Sequence, residues 1–310
     1  MENRQNVYLI DTDIGDDIDD AYAIAAALGH AGEQIIGITT VFKNTDGRAR
    51  LARKLLSLSP YPDIPVYAGS GNGLRRTYNC AGPFPQWGEE LQEAVCGYDR
   101  SLGAAQFIVQ MARQYGKRLI IIGIAALTNI AQAILEAPEV MADIGGLSIM
   151  GGGFFMHCTE WNILCDPEAA RIVMKSGIPK KFAGLDVTLQ LRMDGRETRQ
   201  LCSGQTPLQR YLSELTRRWQ GGGPELPIHH DYLAVLSAME GFSQQDTRFM
   251  CCLPQRIRVL TEEPVAGMTY NESSANWFGE APVPNCLVGQ KVDRQAVFKE
   301  LFKDLGLSEG

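Results

Sequence analysis

Six of the ten residues from Asp11 to Asp20 (DTDIGDDIDD) are aspartates. No Lys or Arg occurs between Gln5 and Phe42, and that interval holds seven acids, these six and Glu33, so its local charge equals the −7 of the whole chain. Carboxylates this close raise one another's pKa and destabilise a fold unless something positive compensates. No side chain nearby in the sequence can do that, and a helix N-terminus supplies only about half a charge. A bound cation is the economical answer. The donors are all oxygen, a set that suits Ca²⁺ or Mg²⁺ rather than zinc. The spacing is not that of an EF-hand, whose longer loop ends in Glu. The competing reading is a solvated acidic loop at a helix start. That serves for one or two aspartates, but poorly for six between an apolar strand and an Ala-rich helix.

The elements around the cluster alternate strand and helix. Apolar runs at Val7–Ile10, Ile35–Val41, Pro65–Gly69, Arg118–Ala125, Leu147–Met150 and Lys181–Thr188 read as strands. Between them, the segments from Asp19 to Gly29, Gly47–Leu58, Ser101–Tyr115, Asn129–Leu135 and Asp166–Ser176 read as helices. Near-continuous apolar strands alternating with helices predict an α/β fold, a mainly parallel Rossmann-like sheet covered on both faces. After Gln190 the pattern changes. Helices are expected at Thr206–Trp219, His230–Glu240 and Arg294–Leu305, with short antiparallel strands between Gln255 and Asp293. No repeat or clean linker divides the chain, so one domain over residues 1–310 is expected. The acidic cluster follows the first strand, where an open α/β sheet places its ligand crevice.

Composition narrows the class. The chain has 310 residues, 45% hydrophobic and 21% charged, which is ordinary for a globular protein. A net charge of −7 and a pI near 5.2 argue against nucleic acid as a partner. No apolar run reaches the ~20 residues of a membrane span. Eight cysteines without a C-x-x-C are too dilute for a disulfide scaffold, and they predict reduced thiols in a cytoplasmic protein.

The segment DTDIGDDIDDAYAI resembles the N-terminal signature of nucleoside hydrolases of the inosine-uridine-preferring type, whose common form is D-T-D-P-G-x-D-D-A-x-A-I. Further segments resemble the family in the same order: Ile38–Thr45; Ala126–Ala131; Met150–Gly153 followed by Glu160–Asn162 and Asp166–Ala170; Gly184–Thr188; and Ile228–Val235. The similarity runs from about residue 7 to 240. It implies cleavage of the N-glycosidic bond of ribonucleosides with a Ca²⁺-bound water. Carried over by motif position, the calcium ligands would be Asp13, Asp20, the main-chain carbonyl of Thr128, and Asp231. Asp13 would also take the proton of the water. Asp19, Asn44, Glu160 and Asn162 would hold the ribose hydroxyls, and His230 would protonate the leaving base. The family also implies a homodimer or homotetramer. These residue types suit the chemistry, because carboxylates stabilise an oxocarbenium-like transition state and a poor leaving base needs a proton.

Several positions depart from the family's pattern or admit another role. Three residues, Asp16-Asp17-Ile18, separate Gly15 from Asp19-Asp20 where the short form has one, so Asp16-Asp17 compete for the metal and ribose roles; Asp19-Asp20 are preferred because they directly precede the helix. Tyr232 replaces a Pro, Ile14 replaces a Pro, and His229 competes with His230 to face the site. Trp87 and Tyr232 are candidates for the base-binding wall, with Trp87 pointing toward purines. Asp231 could instead cap its helix. Asn129 is expected to cap a helix, Asp166 to start one, Asp186 to be structural, and Asp11 to stand behind the ligands. Glu160 and Asn162, two apart, would share one side of an extended segment. Two other functions compete. Asp11-x-Asp13 is similar to the start of haloacid-dehalogenase-type Mg²⁺ phosphohydrolases, with Asp11 as nucleophile, although Gly15 stands where those carry Thr or Val. A non-catalytic nucleoside- or ribose-binding protein would keep the same residues without turnover.

Overall fold

The unbroken apolar runs form the middle of the molecule. In the computed structural model, which describes residues 5–92, 97–274 and 282–307, the strands are β1 (Val7–Thr12), β2 (Ile35–Thr40), β3 (Val66–Ala68), β4 (Leu119–Ile124), β5 (Gly146–Met150), β6 (Lys180–Ala183), β7 (Met250–Gln255), β8 (Ile257–Val259), β9 (Thr269–Asn271) and β10 (Cys286–Val292). Eight of them make one sheet in the order β3-β2-β1-β4-β5-β6-β10-β7. All neighbours in it are parallel except β10 and β7. β8 and β9 form a separate antiparallel pair.

Successive residues of each central strand face opposite sides, and both sides are covered. Ile10 and Ile122 pack with Ile24 and Ala27 of the helix Asp19–Ala31, with Val235 of the helix His230–Met239, and with Phe298 of the helix Arg294–Asp304. Leu9 and Ile121 pack on the other side with Phe107, Ile130 and Val173. This two-sided burial explains why the strands carry no polar alternation. The C-terminal strands divide between the sheet's far edge and the small antiparallel pair. Residues 275–281, within the stretch expected to hold antiparallel strands, lie outside the described residues.

One strand differs from its expected extent. The run Lys181–Thr188 was expected to be extended throughout, but β6 stops at Ala183 and Leu185–Thr188 is helical. Two contacts turn the chain there: Leu185 N–H donates to Gly152 O, and Asp186 accepts from the N–H groups of Phe154 (2.7 Å) and Phe155 (2.9 Å). A carboxylate that ties a neighbouring loop overrides the β-prone composition of that stretch. Among the described residues, all seven cysteines are free; Cys96 lies outside them. No described helix is long and apolar enough to cross a membrane.

Candidate active site

The strand order reverses between β1 and β4, and a crevice opens beyond their carboxyl ends. Asp13 follows directly on β1. Gly15, at φ +123°, takes a conformation that side-chain-bearing residues avoid, and its position leaves room for the Phe84 ring. The chain then turns into the helix Asp19–Ala31. Thr12 Oγ1 locks the turn by donating to Asp20 Oδ1 (2.5 Å) and accepting from Ile14 N–H (3.0 Å). Asp19 Oδ2 reaches across to the helix His230–Met239 and accepts from the N–H groups of His230 (3.0 Å) and Asp231 (3.3 Å). Two helix N-termini therefore converge on one point. Asp231 sits inside its helix, and the capping role considered for it belongs to Asp19 instead.

One carboxylate oxygen from each of Asp19, Asp20 and Asp231 lies within 4.8 Å of the others, all three side chains being buried. Burial is the main cause that drives these carboxyls well above the ordinary range, and mutual repulsion adds to it: Asp17 acts on Asp19, Asp13 and Asp19 on Asp20, Asp19 and Asp20 on Asp231. Asp13 is pushed up to about 7 by burial, with the Arg48 guanidinium pulling the other way. An all-oxygen pocket of acids held in this state fits a divalent hard cation.

No cation near in the sequence compensates the cluster, but the fold brings in a distant one, Arg48. It comes from the next helix, Thr45–Ser57, and is 1% exposed. Its guanidinium donates to the main-chain oxygens of Asp13, Ile14 and Phe42 and pairs with Asp16 at 2.8 Å. One cation does not balance this many carboxylates, and Asp19, Asp20 and Asp231 remain raised with Arg48 in place. The pairing also takes Asp16 away from the Asp19–Asp20–Asp231 group, while Asp17, exposed at the rim, accepts from Ile18 N–H.

The crevice is a cavity of about 460 Å³ lined by Asp13, Asp16, Asp17, Asp19, Asp20, Glu160, Asn162, His230 and Asp231, with Ile124, Met150, Thr159, Trp161 and Leu185 completing the wall. Glu160 and Asn162 reach it by a different geometry from the extended segment expected. Glu160 caps the short helix Trp161–Cys165, accepting from Asn162 N–H (2.9 Å), Ile163 N–H (3.1 Å) and Gly152 N–H (3.0 Å). Asn162 donates to Met150 O at 3.3 Å. His230 lines the cavity with Nδ1 2.8 Å from Thr188 Oγ1. Burial, helped by the charge of Arg192, lowers its pKa to about 4, which favours the neutral imidazole. His229 points into the core between Tyr22 and Phe298, fully buried.

Four residues assigned to the site from the sequence do not line this cavity. Thr128 opens the helix Thr128–Glu136, and its hydroxyl donates to Asp166 at 2.8 Å; the residue of that segment facing the cavity is Ile124, the last of β4. Asn44 caps the helix Thr45–Ser57, accepting from Gly47 N–H and donating to Gly82 O. Trp87 packs edge-on against Phe84, 5.6 Å between ring centres. Tyr232 is fully buried on the opposite side of its helix, its hydroxyl 2.6 Å from Asp304. Asn129 does not cap a helix. It is buried, donates to Asp11 Oδ1 and Thr40 O, accepts from Ser70 N–H, and so holds Asp11 behind the cluster. Asp166 does begin a helix, capping Pro167–Lys175 through Ala169 N–H.

The structure adds two residues at the cavity and its acidic turn that the sequence reading did not single out. Trp161 stands between Glu160 and Asn162, lines the cavity, and is 55% exposed, so its ring is open to a ligand. In the sequence the signal is an aromatic residue flanked by two polar candidates, Glu160-Trp161-Asn162. Arg48 had a weaker one, an Arg four residues after the Asn44 cap and therefore one turn into the helix.

The chain belongs to the inosine-uridine-preferring nucleoside hydrolase family, whose model matches residues 8–299. It is a nucleoside hydrolase, and that family is metal-dependent. It is 29% identical over 322 residues to the probable uridine nucleosidase 2 of Arabidopsis thaliana, covering 96% of each chain. It is 32% identical over 217 residues to the pyrimidine-specific ribonucleoside hydrolase RihA of Shewanella sp. (strain MR-7), covering 67% of each. Among solved structures, the purine-preferring ribonucleoside hydrolase from Gardnerella vaginalis superposes with a TM-score of 0.80 at 29% identity, over 96% of this chain and 97% of that one. A plant nucleoside hydrolase reaches 0.84 at 24% identity, over 97% and 99%, and shares the fold.

Proposed function

We propose that the protein hydrolyses the N-glycosidic bond of ribonucleosides, releasing ribose and free base, with Ca²⁺ held by Asp13, Asp20 and Asp231. The single observation that carries this reading is the convergence of buried carboxylates from two helix N-termini on one cavity, with Asp13 at its edge. Thr128 leaves the ligand set, and Ile124, the residue of that segment that lines the cavity, is the better source of a main-chain oxygen. When bound, the cation would neutralise these carboxylates and make a coordinated water more acidic.

The chain's own residues do the rest. Asp13 accepts a proton from the attacking water as its oxygen bonds to the anomeric carbon and the bond to the base breaks. The carboxylates that line the cavity stabilise the positive charge that develops on the sugar. Asp19, Glu160 and Asn162 are within the cavity to receive the ribose hydroxyls; Asn44, which does not line the cavity, is dropped from that role. The base leaves with the electron pair of the broken bond and takes its proton from solvent, while His230, oriented by Thr188, faces it as a hydrogen-bond donor. Trp161 takes the place assigned to Trp87 and Tyr232 as the stacking surface. The relatives' names cover uridine, pyrimidine and purine nucleosides, so the substrate panel includes both base classes.

The chain reads as one domain, since strands from both ends share a sheet and the helix Arg294–Asp304 packs on Asp19–Ala31. Free thiols fit the cytoplasm, and a homodimer or homotetramer is carried over from the resemblance. The deciding experiment follows free base by chromatography from a panel of ribonucleosides, with and without EGTA. Release abolished by EGTA and restored by Ca²⁺ is the expected result. Bound Ca²⁺ without release from any nucleoside would overturn the catalytic reading in favour of a binding protein. Phosphate release from phosphomonoesters would favour the phosphohydrolase.

A further inference from the structure

A second cavity, of about 440 Å³, lies at the amino end of β6, away from the catalytic crevice. Its charge is the reverse of the chain's. Among the described residues, Arg171, Lys175, Lys180, Arg256 and Arg258 line it, against one carboxylate, Glu272. Glu272 is shared, 3.6 Å from Arg256 Nε and 3.1 Å from Arg258 Nε, and Arg171 is taken by Glu168. Lys175 is exposed and has no carboxylate within ion-pair distance among the described residues. Lys180 is 5% exposed, and the partners of its ammonium are main-chain oxygens, Ser176 O at 2.8 Å and Asn285 O at 3.4 Å. Capping the end of the helix Pro167–Lys175 accounts for one of its protons but not for burying a cation beside four others. Burial has already lowered its pKa to about 8, a cost that a bound anion would remove.

The floor is apolar: Met174, Ile178, Ile257 and Val259 are all buried there. A cationic rim over an apolar floor matches a ligand with an anionic and an organic part. Guanidinium and ammonium groups suit phosphate oxygens, and the volume is within the range of small-molecule sites. We propose that this cavity is a separate binding site for a phosphate monoester of a small organic molecule, of the size of a nucleoside monophosphate. The proposal is independent of the catalytic reading.

The test is isothermal titration calorimetry of the full chain in EDTA, where the carboxylates of the catalytic crevice repel phosphates. The probes are adenosine 5′-monophosphate, ribose 5-phosphate and inorganic phosphate. Saturable one-site binding of the nucleotide is expected, tighter than that of inorganic phosphate. Lys175→Glu, on an exposed helical position, and Arg256→Glu should each weaken it by about tenfold, with far-UV circular dichroism and melting temperature unchanged. Asp231→Asn should leave it unaltered. No saturation below roughly 10 mM, the range of non-specific contact, would overturn the proposal. So would affinity indifferent to both charge reversals, loss of binding in Asp231→Asn, or inorganic phosphate binding as tightly as the nucleotide.

Discussion

Arg48 offers the sharpest test of the electrostatic reading. Replacing it with Met keeps most of the buried stem and removes the guanidinium. Four acceptors then lose a charged donor: the main-chain oxygens of Asp13, Ile14 and Phe42, and the carboxylate of Asp16. Such bonds are worth about 1.5–3 kcal/mol each but do not add, and deleting one partner of a buried ionic group costs about 3–5 kcal/mol. The lower end applies here because Asp16 is partly exposed and can be rehydrated. At about 2 °C per kcal/mol for a chain of this length, a loss of about 3 kcal/mol should lower the metal-free melting temperature by roughly 6 °C. Ca²⁺ changes the comparison in a specific direction. Arg48 opposes the raised pKa values of Asp13 and Asp20, so its charge also repels a cation placed among them. The variant should therefore bind Ca²⁺ more tightly, and each tenfold gain returns about 1.4 kcal/mol once the ion is in excess. Thermal melts of both proteins in EDTA and in millimolar Ca²⁺ measure this. The Arg48→Met deficit should be large in EDTA and smaller in Ca²⁺. A deficit of equal size in both, or one larger in Ca²⁺, refutes the idea that Arg48 and the metal act on the same carboxylates.

Three further outcomes follow from the site and its surroundings. Asp13→Asn should lower kcat/KM by roughly 10²–10⁴ if this carboxylate removes the proton from water; steady-state kinetics that show only a raised KM would assign it to binding alone. Trp161→Ala should raise KM by about 5- to 150-fold, the worth of one base stacked on an aromatic ring. Trp87→Ala should lower the melting temperature without that kinetic change, and the opposite pattern in the pair would restore Trp87 to the site. His30 is bonded to Asp304 at 2.8 Å, and that bond raises its pKa above the ordinary value. Its stabilising contribution is therefore fully present below the unfolded-state pKa of about 6.5 and is lost as pH rises through the higher folded value. Urea unfolding of His30→Gln should show a deficit that shrinks from acid to alkaline pH, and a deficit that grows would reverse the sign of the argument.

The parallel sheet was legible because its strands are buried on both faces and so read as unbroken Ile, Leu and Val. The acidic cluster was legible because six aspartates in ten residues have few structural uses. What escaped were features set by the arrangement of neighbouring elements. Counting charge along the chain finds no partner for the cluster, since Arg48 arrives from the following helix. The run after β6 has strand-like composition, and only the bonds from Phe154 and Phe155 to Asp186 show why it turns. Motif position placed Tyr232 and Thr128 beside true cavity residues, His230–Asp231 in one case and the end of β4 in the other. In a helix, though, a shift of one residue rotates a side chain by about 100°. That rotation puts Tyr232 in the core and Asp231 in the cavity. Ile124 and Thr128 instead stand at the two ends of a loop, so Ile124 at the end of β4 faces the crevice while Thr128, opening the next helix, bonds Asp166.

The same carboxylates serve two purposes, which explains how the fold tolerates them. Asp19 caps the helix His230–Met239, and Asp20 is held by Thr12 at the start of its own helix. Each therefore faces a helix N-terminus, where a negative charge is stabilised by about 0.3–1 kcal/mol, and more where partly buried. Two such termini and Arg48 together hold the cluster close enough for a cation without filling it. The donors are spent on one oxygen of Asp19 and one of Asp20, leaving the second oxygen of each without a donor from this framework. Asp231 has no side-chain donor at all among the described contacts and relies on its helix alone. The carboxylate least supported by the protein is thus the one with most to gain from a metal. A site built in this way is strained without its ion and relieved with it, and the helix His230–Met239 brings both Asp231 and His230 to the crevice in the same packing step.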